Sequence, residues 1–235
     1  MGESLLRTRM LIGDEKLKKL KESTVLIFGL GGVGGFATEA IARSGVGHII
    51  LVDNDVVDIT NINRQIIALN STVGQYKTDV MERRIKDINP EAIVEKHTVF
   101  YLPPNDDIIK AGIDYIVDAV DTVSAKIDII TKADSLGIPV ISAMGTGNKL
   151  DPTKLEITDI YKTSICPLAK VMRHELKKRG IKKLNVVYSK EESVKLAFNI
   201  DTPESRKRTA ASCAFVPSCA GLLMASKVIR DLIGE

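Results

Sequence analysis

Val25-Leu26-Ile27-Phe28-Gly29-Leu30-Gly31-Gly32-Val33-Gly34 runs an apolar segment straight into a G-x-G-x-x-G turn. Consecutive apolar residues ahead of the glycines read as a buried strand over Thr24–Phe28. The spacing that follows predicts a helix over 33–44, stopped by Gly45. Strand, glycine turn and helix together bring backbone N–H groups and the positive end of a helix against a phosphate. Alone, the pattern suits a nicotinamide or flavin nucleotide, or a strand–helix turn with no ligand.

Outward from that turn, strand and helix signals alternate. Strands are predicted over 48–53, Ile93–His97, 115–119 and Val140–Ala143, with helices over 78–88 and 124–136 between them. Near-continuous Val/Ile runs mark parallel strands covered on both faces. The alternation predicts an α/β fold: a doubly wound, Rossmann-like, mostly parallel sheet with right-handed crossovers. Its ligand crevice belongs beyond the strand carboxyl ends, near Gly29. After Gly147 the rhythm changes to strands over 155–161 and 184–189, a helix over 167–179 between them, a polar stretch over 190–212 expected to be a mobile loop, and a final helix over 218–232. With no repeat and no convincing linker, residues 1–235 read as one domain, and 151–235 as its substrate-facing C-terminal α+β extension.

The polar residues after the second strand move the reading away from a dinucleotide. Asp53 lies about 20 residues beyond the glycines, where it can accept hydrogen bonds from ribose hydroxyls. Asp55, Asn61, Asn63, Arg64, Gln65 and Lys77 follow. A dehydrogenase needs one acid for its ribose and has no use for this set, whereas a triphosphate and its metal do. Arg64 supplies a two-pronged donor and Lys77 a point charge for phosphate oxygens; for any one of them a surface salt bridge is the plain alternative. Asp118 and Asp121 close the run Tyr115-Ile116-Val117-Asp118-Ala119-Val120-Asp121. A carboxylate there can hold Mg²⁺ against phosphates, and one of the two can instead cap the next helix.

Composition narrows the classes. A chain of 235 residues, 44% hydrophobic and 27% charged, fits a soluble globular protein. A net charge of +3 is too small to mark a nucleic-acid binder by itself. Cys166, Cys213 and Cys219 form no C-x-x-C pair, which argues against a disulfide framework and a four-thiolate zinc site and suits a reducing cytoplasm. The first residues lack the apolar core of a signal peptide, and the longest apolar stretch, 214–229, is broken by Pro217. His48, His97 and His174 are scattered.

The series Gly29, Gly31, Gly32 and Gly34, Asp53-x-Asp55, Asn61-x-Asn63-Arg64-Gln65, Lys77 and Asp121 resembles the ubiquitin-activating-type adenylating enzymes of the ThiF/MoeB/HesA superfamily, over about residues 5–150. The resemblance implies ATP and Mg²⁺: Asp53 on the ribose, Arg64 and Lys77 on the triphosphate, Asp121 on the metal. Arg9 matches an arginine that members donate across a homodimer to the partner's ATP; without the match it reads as a solvated terminal charge.

Sulfur-carrier activators of that superfamily usually carry two C-x-x-C pairs, which are missing here. The run from Thr163 to Arg173 resembles instead the branch acting on threonylcarbamoyladenosine in tRNA. That resemblance implies ATP-dependent cyclisation of the modified base by adenylation of its carboxylate. Adenylation of the C-terminal glycine of a ubiquitin-like sulfur carrier is the alternative. A basic tRNA face is expected from Lys170, Arg173, Lys177 and Lys178, with Lys182 and Lys183 nearby and Arg206 and Arg208 as a second cluster, although charge runs are usually just solvated. The mechanism needs no enzymic nucleophile, so Cys166 is expected to pack at the start of its helix. A monovalent cation and a cysteine-desulfurase or sulfur-relay partner are left open.

Overall fold

The computed structural model describes residues 3–103, 107–198 and 210–235. Two short helices, α1 (Leu6–Ile12) and α2 (Asp14–Glu22), lead into β1 (Thr24–Phe28) and α3 (Gly34–Arg43). β2 (His48–Val52), α4 (Lys77–Ile88) and β3 (Ile93–His97) complete the first half. β4 (Tyr115–Asp118), α5 (Val123–Ser135) and β5 (Val140–Ala143) carry the second. β6 (Leu155–Asp159), α6 (Pro167–Lys178), β7 (Asn185–Ser189) and α7 (Phe215–Ile233) follow.

All seven strands join one sheet in the order β3-β2-β1-β4-β5-β7-β6. Every pairing is parallel except β6 with β7, where Leu155 faces Ser189 and Asp159 faces Asn185 in antiparallel register. The order reverses at β1, so the chain leaves β1 and β4 in neighbouring positions on opposite walks, and a crevice opens at their carboxyl ends. The strands predicted over 115–119 and 155–161 end earlier, at Asp118 and Asp159.

Alternate residues of the strands feed opposite faces. Val25 and Ile27 join Ala37, Ile41, Met81 and Met224 beneath α3, α4 and α7. Leu26 and Phe28 join Ala125, Ile129 and Ala133 beneath α5. A third cluster, with Met172, Leu176, Val186 and Tyr188, lies under α6.

Two departures from the sequence reading have simple causes. α1 and α2 went unpredicted: α1 buries none of its residues, and α2 is nine residues long and buries only Leu17 and Leu20, so each offers few apolar positions to read. α7 starts at Phe215 rather than 218, because Pro217 is its third residue. A first-turn N–H has no acceptor within the helix, so proline there costs no hydrogen bond. α7 lies hard against α3: a Cβ on Gly221 would stand 2.3 Å from the Val33 carbonyl oxygen. The expectation of a mobile loop over 190–212 falls in part on 199–209, outside the described residues. Its flanks are bonded, Val194 N–H to the Asn148 carbonyl (2.9 Å) and Asn148 N–H to the Ala211 carbonyl (2.8 Å).

Candidate nucleotide site

The glycine turn divides its labour. Gly29 has φ +86°, and a Cβ there would meet the Ala119 carbonyl oxygen at 2.8 Å. A Cβ on Gly34 would lie 1.8 Å from the Gly29 carbonyl oxygen. These two let the turn close and the helix follow at once. Gly31 is different: only Gln65 Nε2, at 4.0 Å, would be near its Cβ, so its bare backbone faces open space. That space is a cleft of about 640 Å³ bounded by the glycine turn, Asp53, Arg64, Lys77, Tyr101 and Asp121, among others.

Asp53 directly follows β2 on the cleft wall. Its carboxylate accepts from Leu30 N–H (2.6 Å) and Asp55 N–H (2.8 Å), which aims it across the turn. Burial pushes its pKa above the ordinary range, against the pull of Lys77 and of those two N–H groups. Lys77 opens α4 with its side chain 6% exposed, and its Nζ meets Asp55 Oδ2 at 2.7 Å. Asp55, itself 58% exposed, is therefore the lysine's counter-ion, leaving a cation poised at the cleft.

Within the run 58–65, Ile59–Asn61 form a short 3-10 turn. Asn61 lines the cleft but spends its Oδ1 on Asp58 N–H (3.2 Å), in a reciprocal cap with the Asp58 side chain. Arg64 donates to the Thr60 carbonyl (2.9 Å) and to Asn63 Oδ1 (2.9 Å). Asn63 does not line the cleft; its Nδ2 donates to the Ser212 carbonyl (3.0 Å). Gln65 is 7% exposed, and its Oε1 is buried with no hydrogen-bond partner. A buried acceptor left unsatisfied costs about 1–3 kcal/mol, so a ligand donor fits that spot.

Asp118 and Asp121, indistinguishable as neighbours in sequence, take opposite fates. Asp118 is fully buried and outside the cleft; its Oδ2 meets Lys126 Nζ at 3.0 Å and Ser142 Oγ at 2.5 Å. Lys126 also donates to the Ala143 carbonyl (2.8 Å), so the pair ties β4 to α5 and β5. Asp121 is exposed at the cleft, leaving its carboxylate available there. The far wall, Val99, Phe100 and Tyr101, was missed from sequence. It follows β3 directly, and ligand residues gather beyond the carboxyl ends of parallel strands. Tyr101 is fixed by a bond to Asp128 Oδ2 (2.7 Å) and an edge-on contact with Phe28.

The remaining predicted residues lie elsewhere. Arg9 is on α1, pairs with Asp14 at 3.1 Å and does not line this chain's cleft. On α6, Lys170 and Lys177 are exposed. Arg173 is spent on the Thr163 carbonyl (3.0 Å), and Lys178 pairs with Glu175 at 3.1 Å. Arg206 and Arg208 lie outside the described residues. Cys166 is buried in the cluster under α6. Among the described residues no group of three or more His, Cys, Asp or Glu could hold a metal by itself, and no helix is long and apolar enough to cross a membrane.

A doubly wound sheet, a glycine turn at its switch point and an acid–cation set on the facing loops define a nucleotide-phosphate-binding α/β protein. The ThiF family model matches residues 5–235, and the chain belongs to that family. It is 48% identical to a tRNA threonylcarbamoyladenosine dehydratase of Bacillus subtilis, over 97% of this chain and 94% of the relative. Its fold is similar to that of the E. coli tRNA N6-threonylcarbamoyladenosine dehydratase TcdA in complex with ATP, with a TM-score of 0.88 and 32% identity over 99% of this chain and 94% of that one. It is similar again to that enzyme in complex with AMP, with a TM-score of 0.86 and 34% identity, over 97% and 93%.

Proposed function

We propose that this chain is an ATP-dependent dehydratase of threonylcarbamoyladenosine in tRNA. One observation carries the reading: Gly31, Asp53, Arg64, Lys77 and Asp121 face one cleft in a chain similar over nearly its whole length to such a dehydratase. The open face of Gly31 and the two cations fit a triphosphate, and the unsatisfied Gln65 Oε1 awaits a donor elsewhere on the ligand. Asp53 takes the ribose, and the wall of Val99, Phe100 and Tyr101 takes the base.

A carboxylate is a poor electrophile at neutral pH. The threonyl carboxylate attacks the α-phosphorus of ATP, pyrophosphate leaves, and the acyl adenylate carries AMP as a good leaving group. The carbamoyl oxygen of the same nucleoside then attacks the activated carbon and AMP departs, for a net loss of water. Ring closure within one molecule has a high effective concentration. The protein therefore supplies charge neutralisation through Arg64 and Lys77, and alignment. Asp121 would hold Mg²⁺, an ion commonly bound through one or two carboxylates, and the ion would supply charge neutralisation for the pyrophosphate.

Finer points belong to the same proposal. The exposed apolar side chains of α1, Leu6, Met10 and Leu11, fit a homodimer contact that carries Arg9 to the partner's nucleotide. Lys170 and Lys177 offer phosphate contacts to tRNA. Residues 151–235 face the RNA within one working unit, and the enzyme works in the cytoplasm. Incubation with ATP, Mg²⁺ and total tRNA, followed by nucleoside mass analysis, should show threonylcarbamoyladenosine losing one water. An unchanged nucleoside, with pyrophosphate exchange dependent on a carrier protein, would overturn the reading.

A further inference from the structure

Asn63 sits between two cleft-facing residues of its own loop, Asn61 and Arg64, yet it does not line the cleft. Its amide is used in both directions. Oδ1 accepts from the Arg64 guanidinium at 2.9 Å, and Nδ2 donates to the Ser212 carbonyl at 3.0 Å. A guanidinium only donates and a carbonyl only accepts, so the amide has one possible orientation, and no other acyclic side chain of that length supplies both functions.

What lies on the far side of Ser212 gives the bridge its meaning. Residues 210–214 run from the described edge of the chain into α7. Ala211 N–H donates to Asn148 Oδ1 (2.8 Å), and Asn148 N–H returns a bond to the Ala211 carbonyl (2.8 Å). Cys213 Sγ reaches the Lys149 carbonyl (3.4 Å). Asn148 holds φ +57°, an uncommon backbone state fixed here by bonds on both sides. The segment is therefore anchored to the loop that leaves β5, on the C-terminal half, and reaches the nucleotide loop through Asn63.

We infer that Asn63 is a positioning residue, which sets the phosphate-facing guanidinium of Arg64 against the 210–214 segment so that the nucleotide and acceptor halves share one register. This rests on the proposed dehydratase reading for its activity readout. Arg64 acts on charge that develops as pyrophosphate leaves, so a small misplacement weakens the transition state more than ground-state ATP binding.

Three readouts test it in the full-length protein. Asn63→Ala should lower kcat for tRNA dehydration roughly tenfold to a hundredfold, the range for slight misalignment of a positioned group. The ATP dissociation constant, from calorimetry, should move less than about twofold, the mark of an interaction realised mainly in the transition state. Amide hydrogen exchange across 210–216 should speed up. Asn63→Asp keeps an acceptor for Arg64 but turns an oxygen toward the Ser212 carbonyl, so it should fail to rescue kcat or exchange protection. Wild-type turnover in Asn63→Asp would overturn the bridge. So would unchanged kcat or unchanged exchange in Asn63→Ala, or a rise in ATP dissociation constant with kcat intact, which would make Asn63 a direct nucleotide ligand. If the wild-type protein gives no dehydration, the functional reading fails, and exchange across 210–216 still decides whether Asn63 holds the segment.

Discussion

Two aspartate–lysine pairs flank the same crevice, and they do different jobs. At its mouth Lys77 meets Asp55, whose carboxylate is 58% exposed. At its floor Lys126 meets Asp118, and both side chains are fully buried. The floor pair has Ser142 and the Ala143 carbonyl to complete its hydrogen bonding and presents nothing to the cleft. The mouth pair leaves a cation where a ligand can reach it. Burial of a charge is therefore a poor guide to function. What separates the pairs is whether one partner keeps contact with water.

The largest effect that would sharpen this contrast is in turnover. Lys77→Ala should slow dehydration about a thousandfold, the scale for removing a preorganised charge from a reacting phosphate. Its thermal unfolding should shift little, since exposed Asp55 simply rehydrates. A variant that unfolds early but keeps its rate would make the mouth pair structural. The floor pair should behave in reverse: Lys126→Ala strands a buried carboxylate and should cost about 3–5 kcal/mol by denaturant unfolding. Removing both charges, Asp118→Leu with Lys126→Met, should recover most of that loss; if it does not, the pair does more than hold β4 to α5.

Glu39 falls between the two extremes. It is 7% exposed on α3 and is gripped by Arg84 (2.5 Å) and Arg43 (2.7 Å), whose side chains reach solvent. Burial alone would raise its pKa, but the two guanidinium bonds outweigh it and hold the carboxyl below the usual glutamate value. A depressed folded value means stability that is full above the unfolded pKa, near 4.5, and lost as pH falls through the folded one. Glu39→Gln should cost about 2 kcal/mol at neutral pH, with the gap to wild type closing under acid, as followed by unfolding across a pH series. A gap that stays constant with pH would remove the ion pair from the account. The smallest effect belongs to the surface: Lys177→Glu with Lys178→Glu should raise the tRNA dissociation constant roughly fivefold and flatten its salt dependence. An unchanged constant would take α6 off the RNA face.

The same contrast explains what could be read beforehand. The glycine turn was legible because Gly29, Gly31 and Gly34 answer to local geometry that their spacing encodes. β5 was legible to the residue because its short run rich in β-branched residues starts directly after Pro139 and stops two residues before Gly145. The fates of Asp118 and Asp121 were not legible, since they depend on Ser142 and Ala143, which reach the site only through the pairing of β4 with β5. Lys126, inside the predicted helix over 124–136, drew no separate reading for the same reason. Asn63 read as one more polar group in a phosphate loop; its bond to a backbone carbonyl in residue 212 leaves no mark in the chain. The antiparallel placement of β6 is a tertiary choice of an edge strand, and strand direction is not written in alternation.

Gly221 gives the nucleotide turn a dependence that distance along the chain conceals. Because α7 rests on the Val33 carbonyl with no room for a methyl group, the start of α3 is braced by one of the last elements of the sequence. A fragment ending before α7 would therefore keep every residue of the motif while lacking the buttress behind the glycine turn.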